Sequence, residues 1–196
     1  MIMGMMKRIL PLCLLVFSAC LAYKELPVEY DYSYRGNFKK YKSFDVFKPV
    51  DNDDPATNNE AVENAIIARM KFLGYRQTEN KPDLLLSFRI FNDSLKYHGY
   101  DQPDIETWIY TQNRFEERYD RRTFNLNKGT LAIQLYDRKQ NLTIWQGYAS
   151  AAYGNIDFDN PRHVRNAVIS ILDKYRFWAE GFMDKKTILV DQNTEL

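Results

Sequence analysis

The chain has 196 residues, 45% of them hydrophobic and 15% aromatic, and a formal net charge of +1. That length makes one ordinary domain with a core of its own, and the balanced charge excludes the clustered basic face of a nucleic-acid binder. Two cysteines and two histidines leave little material for a disulfide framework or a zinc site.

The first element in chain order is a leader. Lys7 and Arg8 precede an apolar run from Ile9 to Phe17, and Ser18, Ala19 and Cys20 close it. A permanent membrane helix needs about 20 apolar residues. This shorter run suits the apolar region of a secretory signal with small residues at the cut. Val16-Phe17-Ser18-Ala19-Cys20 resembles a bacterial lipobox, with Phe17 where Leu is usual. The resemblance implies that residues 1–19 are removed and that Cys20 becomes the acylated first residue. Each buried methylene adds about 0.8 kcal/mol to such an anchor, so several chains on one cysteine hold the protein at its bilayer. Loss of Lys7 and Arg8 takes the formal charge from +1 to −1. Cys13 and Phe17 leave with the leader, so the folded part is expected to rest on packing, to which 14 Tyr and the other 11 of the 12 Phe contribute. Leu21 follows the cysteine. Asp at that place favours inner-membrane retention in many Gram-negative lipoproteins, so the expected address is the outer membrane.

Residues 20–27 read as a tether and 28–183 as a single domain. Val28 to Tyr34 alternates like a half-buried strand, and Tyr41 to Phe47 reads as a second extended segment after Gly36-Asn37. An acidic loop runs from Pro49 to Pro55. Thr57-Asn58-Asn59-Glu60 predicts a capping box with Thr57 as the cap. Val62, Ala65, Ile66, Met70 and Leu73 then form a helical stripe that Gly74 ends. Leu84, Leu86, Phe88 and Ile90 share one face of a central strand. Residues 92–104 read as a loop, Ile105 to Gln112 as another strand, and Asn113 to Arg122 as a charged stretch. Gly129 to Asp137 and Leu142 to Tyr153 form a hairpin. Asn160 caps a second helix with Pro161 at its first position and a stripe of Val164, Ala167, Val168, Ile171, Leu172 and Tyr175. Residues 184–196 are a polar tail. These elements predict an α+β fold: a two-layer sandwich of a mainly antiparallel sheet with two helices on one face.

Several stretches occur in an order and spacing that resemble a known family. They are Tyr30-Asp31, Phe38 to Phe44, Leu73-Gly74-Tyr75, Pro82-Asp83-Leu84-Leu85, Gly129 to Ile133 and Ile144-Trp145-Gln146-Gly147. Together, behind the lipobox, they resemble the bacterial lipoproteins of domain-of-unknown-function family 4136. The likeness runs over roughly residues 28–178 and implies a compact lipid-anchored α/β domain. It brings no agreed catalytic residues, and residues 92–128 match it least.

The search for chemistry yields few candidates. His98 sits in a polar stretch and His163 in a first helical turn, and no nucleophile elbow accompanies either. A calcium loop starting at Asp51 would need Gly at its sixth place and Glu at its twelfth, where this chain has Ala56 and Val62. Asp51 to Asp54 therefore reads as an acidic turn ahead of a helix N-terminus. Glu116, Glu117 and Asp120 are the candidate carboxylates for glycoside chemistry. Tyr97, Tyr100, Trp108, Tyr110, Phe115 and Tyr119 form a candidate contact surface for a partner or glycan, unless they pack their segment onto the sheet. The reading is a non-enzymatic envelope lipoprotein with no cofactor or metal. Its partners would be the membrane, through acylated Cys20, and an envelope protein or glycan. The alternatives are an envelope glycan or peptidoglycan hydrolase and a small-ligand or lipid-binding domain.

Overall fold

The computed structural model describes residues 26–47, 54–111, 117, 119–150 and 156–183. Cys20, the leader, Asp51 to Asp53, Phe115, Glu116 and the polar tail lie outside them.

The elements are β1 (Val28–Tyr32), β2 (Ser43–Val46), α1 (Glu60–Phe72), β3 (Arg76–Gln77), β4 (Leu84–Phe91), β5 (Leu95–Tyr100), α2 (Ile105–Tyr110), β6 (Arg121–Leu126), β7 (Thr130–Asp137), β8 (Leu142–Ala149) and α3 (Pro161–Tyr175). Six strands form one mixed sheet in the order β1-β8-β7-β4-β2-β3. The pairings β1–β8, β8–β7 and β7–β4 are antiparallel, and β2 runs parallel to both β4 and β3. The protein is therefore α+β.

Alternation divides the sheet. Leu84, Leu86, Leu131, Ile133, Leu135 and Trp145 point to one face and are fully buried with Val62, Ile66 and Met70 of α1 and the whole expected stripe of α3. Aromatic rings fill this layer: Trp145 meets Tyr175 at 5.7 Å between centroids, and Phe38 stacks on Phe177 at 5.2 Å. The caps follow local chemistry. Asn160 accepts from the Arg162 amide ahead of Pro161. Gly74 takes φ +87°, and the Gly74 and Tyr75 amides reach back to Lys71 and Met70 in a Schellman closure.

Three expectations are corrected. The cap of α1 is Asn59, whose side chain accepts from the Val62 amide, and not Thr57. Thr57 instead closes a turn on the Asp54 carbonyl, which starts the helix two residues later. Residues 92–104 contain strand β5. Residues 105–110 are a helix, because Asp104 caps the Glu106 and Thr107 amides and Ile105, Trp108 and Ile109 fall on one helical face.

The second sheet face carries a feature absent from a two-layer plan. β5 and β6 form an antiparallel ribbon that packs on it. Leu95, Tyr97, Phe124 and Leu126 alternate inward against Ala132 and Tyr148. Gly99 is needed there: a Cβ on it would lie 2.9 Å from Phe124 and Tyr97 and 3.1 Å from the Asp31 carboxylate.

Candidate ligand-binding groove

Where the ribbon meets the edge strand β1, a groove of about 360 Å³ opens. Its floor comes from β1 and β8, and its walls carry Tyr34, Tyr100, Gln102 and Tyr119.

Alternation in β1 sends Tyr30 and Tyr32 toward the helices and Asp31 the other way. Tyr30 stacks on Trp145 at 6.4 Å. Asp31 is opposite Gln146 in the register, and Gln146 is opposite Gln134, so a polar row crosses this face. Asp31 is 7% exposed. One of its oxygens accepts from the Tyr32 amide at 2.9 Å and the other from the Tyr97 hydroxyl at 2.8 Å. The Gln146 amide donates to the Tyr97 hydroxyl and accepts from Gln134 at 3.1 Å. Burial pushes the Asp31 carboxyl above its ordinary 3.8, and the bonds from Tyr97, the Tyr32 amide and Gln146 offset this only in part.

The edge of β1 is closed by a side chain. The Gln102 amide group accepts from the Tyr32 N–H at 3.0 Å and donates to the Tyr32 carbonyl at 2.7 Å, as a neighbouring strand would. The Tyr32 hydroxyl donates to the Pro103 carbonyl at 3.0 Å. These bonds fix the turn from β5 to α2 and blunt an exposed strand edge.

The walls are aromatic. The Asp101 amide donates to the Asp120 carbonyl at 2.8 Å, extending the ribbon so that Tyr100 and Tyr119 meet edge to face at 5.5 Å. Tyr119 meets Tyr34 in the same way at 5.5 Å, and Tyr34 rests on Trp108 at 5.0 Å. Tyr119 and Tyr100 remain 58% and 39% exposed. The Tyr119 hydroxyl is engaged by Glu117 at 2.6 Å. Arg35 lines the rim.

The six aromatics expected as a contact surface divide. Tyr100 and Tyr119 share the groove. Trp108 is buried against Tyr32 and Tyr34, and Tyr97 packs against Phe124 and Tyr148, so both serve packing. Tyr110 is exposed under the Lys39 ammonium, 4.2 Å from its ring centre. Phe115 lies outside the described residues. Of the candidate carboxylates, Glu117 holds Tyr119, Asp120 is exposed, and neither lines the groove. His98 is exposed and bonds Thr123 at 3.1 Å, and His163 is exposed on α3. Among the described residues no cluster of three or more His, Cys, Asp or Glu is placed to hold a metal ion. Sequence reasoning missed Asp31, Gln102 and Gln146. The alternation of Tyr30, Asp31 and Tyr32 held the signal for Asp31, whereas the Gln102 contact joins segments far apart in sequence.

No curated protein matches the chain at a significant level. Among solved structures, a DUF4136 family protein from Bacteroides thetaiotaomicron is similar at a TM-score of 0.46 and 12% identity, over 79% of this chain and 98% of that one. A PDZ domain protein from Parabacteroides distasonis gives 0.47 and 16%, over 80% of this chain but 36% of its own length. A PelC dodecamer from Paraburkholderia phytofirmans, in a single-substitution variant, gives 0.40 and 8%, over 77% of this chain and 97% of that one. The family model for DUF4136, a domain of unknown function, matches residues 28–175, from the first strand to the last residue of α3. That span is well over half of the 196 residues, and the chain belongs to the DUF4136 family.

Proposed function

We propose that the protein is a cell-envelope lipoprotein, held at the outer membrane through acylated Cys20, and that its domain is a non-enzymatic binding module working through the groove between β1 and the β5–β6 ribbon. The lipobox-like stretch supports the anchor. The tether from Cys20 to Leu26 spans at most about 22 Å and keeps the domain beside its bilayer. No helix among the described residues is long and apolar enough to cross a membrane.

The observation that carries the binding reading is the pairing of exposed Tyr100 and Tyr119 with a floor whose polar groups are already fixed by the protein. Pre-set polar groups beside aromatic walls lower the ordering cost of a contact. Among the described residues Asp31 is the one carboxylate that lines the groove, whereas most glycoside hydrolysis uses two facing carboxylates.

The test is crosslinking in intact cells with a tagged full-length chain, followed by identification of what is retained. Wild type should fractionate with the outer membrane and Cys20→Ala should be released from it. A retained partner that depends on Tyr100 and Tyr119 supports the binding module. Wild type that remains in the soluble fraction overturns the anchor, and retention unchanged in the double alanine variant overturns the groove as the binding face.

A further inference from the structure

We propose that the groove is a subsite for an uncharged pyranose ring of a glycan chain, with Tyr100 and Tyr119 against the ring and Asp31, Gln102 and Gln146 on its hydroxyls. This rests on the binding reading above and names its ligand class.

The argument turns on what the floor still offers. Asp31 spends three acceptor positions, on the Tyr32 amide, the Tyr97 hydroxyl and the Gln146 amide. A carboxylate has about four such positions, so about one remains. Gln102 spends one donor and one acceptor on Tyr32, which leaves one N–H and one lone pair. Gln146 gives its N–H groups to Tyr97 and Asp31 and accepts from Gln134, which leaves one lone pair on its oxygen. Planar groups with adjacent free acceptors and donors match vicinal hydroxyls, each of which both donates and accepts. The partners that consume the other positions also lock these side chains in place, so little rotamer entropy remains to be lost.

The walls fit the same ligand. A pyranose presents a face of axial C–H bonds, and the negative face of an aromatic ring attracts such polarised hydrogens. The exposed pair Tyr100–Tyr119 provides aromatic surface at the groove mouth. Charge narrows the class further. Asp31 and Arg35 line one groove with opposite signs, which favours a neutral ligand over an acidic or basic polymer. A proline-rich peptide is the competing occupant of aromatic grooves, and it needs donors aimed at its carbonyls. Here the Tyr119 hydroxyl proton goes to Glu117 and that of Tyr97 to Asp31, so neither tyrosine hydroxyl offers its proton, and the spare Gln102 N–H is left as a donor. Addition of a peptide strand to β1 meets the Gln102 side chain at Tyr32. The position also suits a polymer. From Val28 at the tether end to Tyr32, β1 climbs about 13 Å, which sets the groove away from the anchor.

The test uses the full-length chain in detergent micelles, titrated with maltohexaose, cellohexaose, fully N-acetylated chitohexaose and a proline decamer, and read by saturation-transfer NMR and calorimetry. At least one hexasaccharide should bind, with transfer strongest at ring protons, and Tyr100→Ala or Tyr119→Ala should weaken it about tenfold or more, the size of one good contact. Both side chains are substantially exposed, so these variants should fold, and Phe47→Ala, an exposed residue outside this groove, should leave binding unchanged. Binding by none of the three sugars, or binding indifferent to both tyrosines, overturns the proposal. Binding of the proline decamer alone also overturns it, in favour of a peptide site. A protein partner crosslinked through Tyr100 and Tyr119 with no sugar bound would retire the saccharide and leave the binding module standing.

Discussion

Asp137 on the helix-covered face of the sheet and Asp31 on the other are both buried carboxylates, 3% and 7% exposed, yet their net shifts are opposite. Burial pushes Asp137 up. The Gln140 amide at 2.8 Å, the Tyr41 hydroxyl at 2.7 Å and the Gln140 side chain at 2.8 Å outweigh it and hold the carboxyl below 3.8. At Asp31 burial wins and the carboxyl rises above 3.8. On the helix-covered face the Asp137 carboxylate has its donors and the apolar groups have each other, while the buried Trp145 indole N–H has no partner among the described residues. The ribbon-covered face keeps hydrogen-bonding capacity in reserve beside exposed rings. A face that bears stability and a face proposed for recognition are expected to differ in this way.

The comparison breaks most visibly by cutting away core. Trp145 is fully buried between Tyr30 and Tyr175, so Trp145→Ala should cost about 3–5 kcal/mol of stability, read by denaturant unfolding. Tyr119→Ala on the other face should stay within about 0.5 kcal/mol, with its effect confined to binding. Comparable losses at the two sites would erase the distinction.

A second step removes the donors' target. Asp137→Ala leaves the Tyr41 hydroxyl and the Gln140 amide without their acceptor in a buried place, a loss of about 1–3 kcal/mol per unsatisfied group. Asp137 is held low, so its contribution is complete above 3.8 and is lost as pH falls toward its folded value. The variant should lack that part of the wild-type acid sensitivity in unfolding measured across the same range.

The ribbon is next. Gly99→Val places side-chain carbons against Phe124, Tyr97 and Asp31 and should cost about 1–3 kcal/mol by overpacking. It should also lower ligand retention, because moving β5 displaces the Asp31–Tyr97 bond. Gly99→Val that retains ligand fully would show that the floor does not depend on how the ribbon is seated.

How legible these two faces are from sequence follows the same division. The helix-covered face was readable because local pattern decides it: the stripe of α3, the even positions of β4 and the Gly74 cap each carry their signal within a few residues. The ribbon-covered face was not. Val28 to Tyr32 looked half-wet, but what covers Asp31 arrives from residues 97–102, a distance over which no periodicity speaks. Ile105 to Tyr110 is six residues long, too short for period 2 to be told from 3.6 by its apolar residues. The Asp104 cap was the discriminating sign. The capping box misled because Thr57 and Asn59 both offer a cap, and the turn on Asp54 settles which one is used.

The smallest expected effect is the sharpest test. Asp31→Asn exchanges a desolvated carboxylate for a neutral amide of the same shape. Asn keeps the acceptor for the Tyr32 amide, but its NH₂ must face Tyr97, whose hydroxyl already receives a proton from Gln146. Loss of that bond costs about 0.5–1.5 kcal/mol. Against this, the variant no longer carries the cost of ionising a buried carboxyl, so net stability at neutral pH should change little. The sign appears with pH. Asp31 is raised, so its stabilising share is complete below 3.8 and is lost as pH rises through its folded value. The groups facing it are Tyr97 from β5 and Gln146 and Tyr148 from β8. The tyrosines are pushed up by burial and stay protonated in this range, so the carboxyl titrates alone. Wild type should therefore gain on Asp31→Asn as the solution is acidified toward 3.8, the reverse of its behaviour against Asp137→Ala. Parallel acid dependence at both aspartates would mean that Asp31 has a full set of donors, and the reserve on which the recognition face depends would not exist.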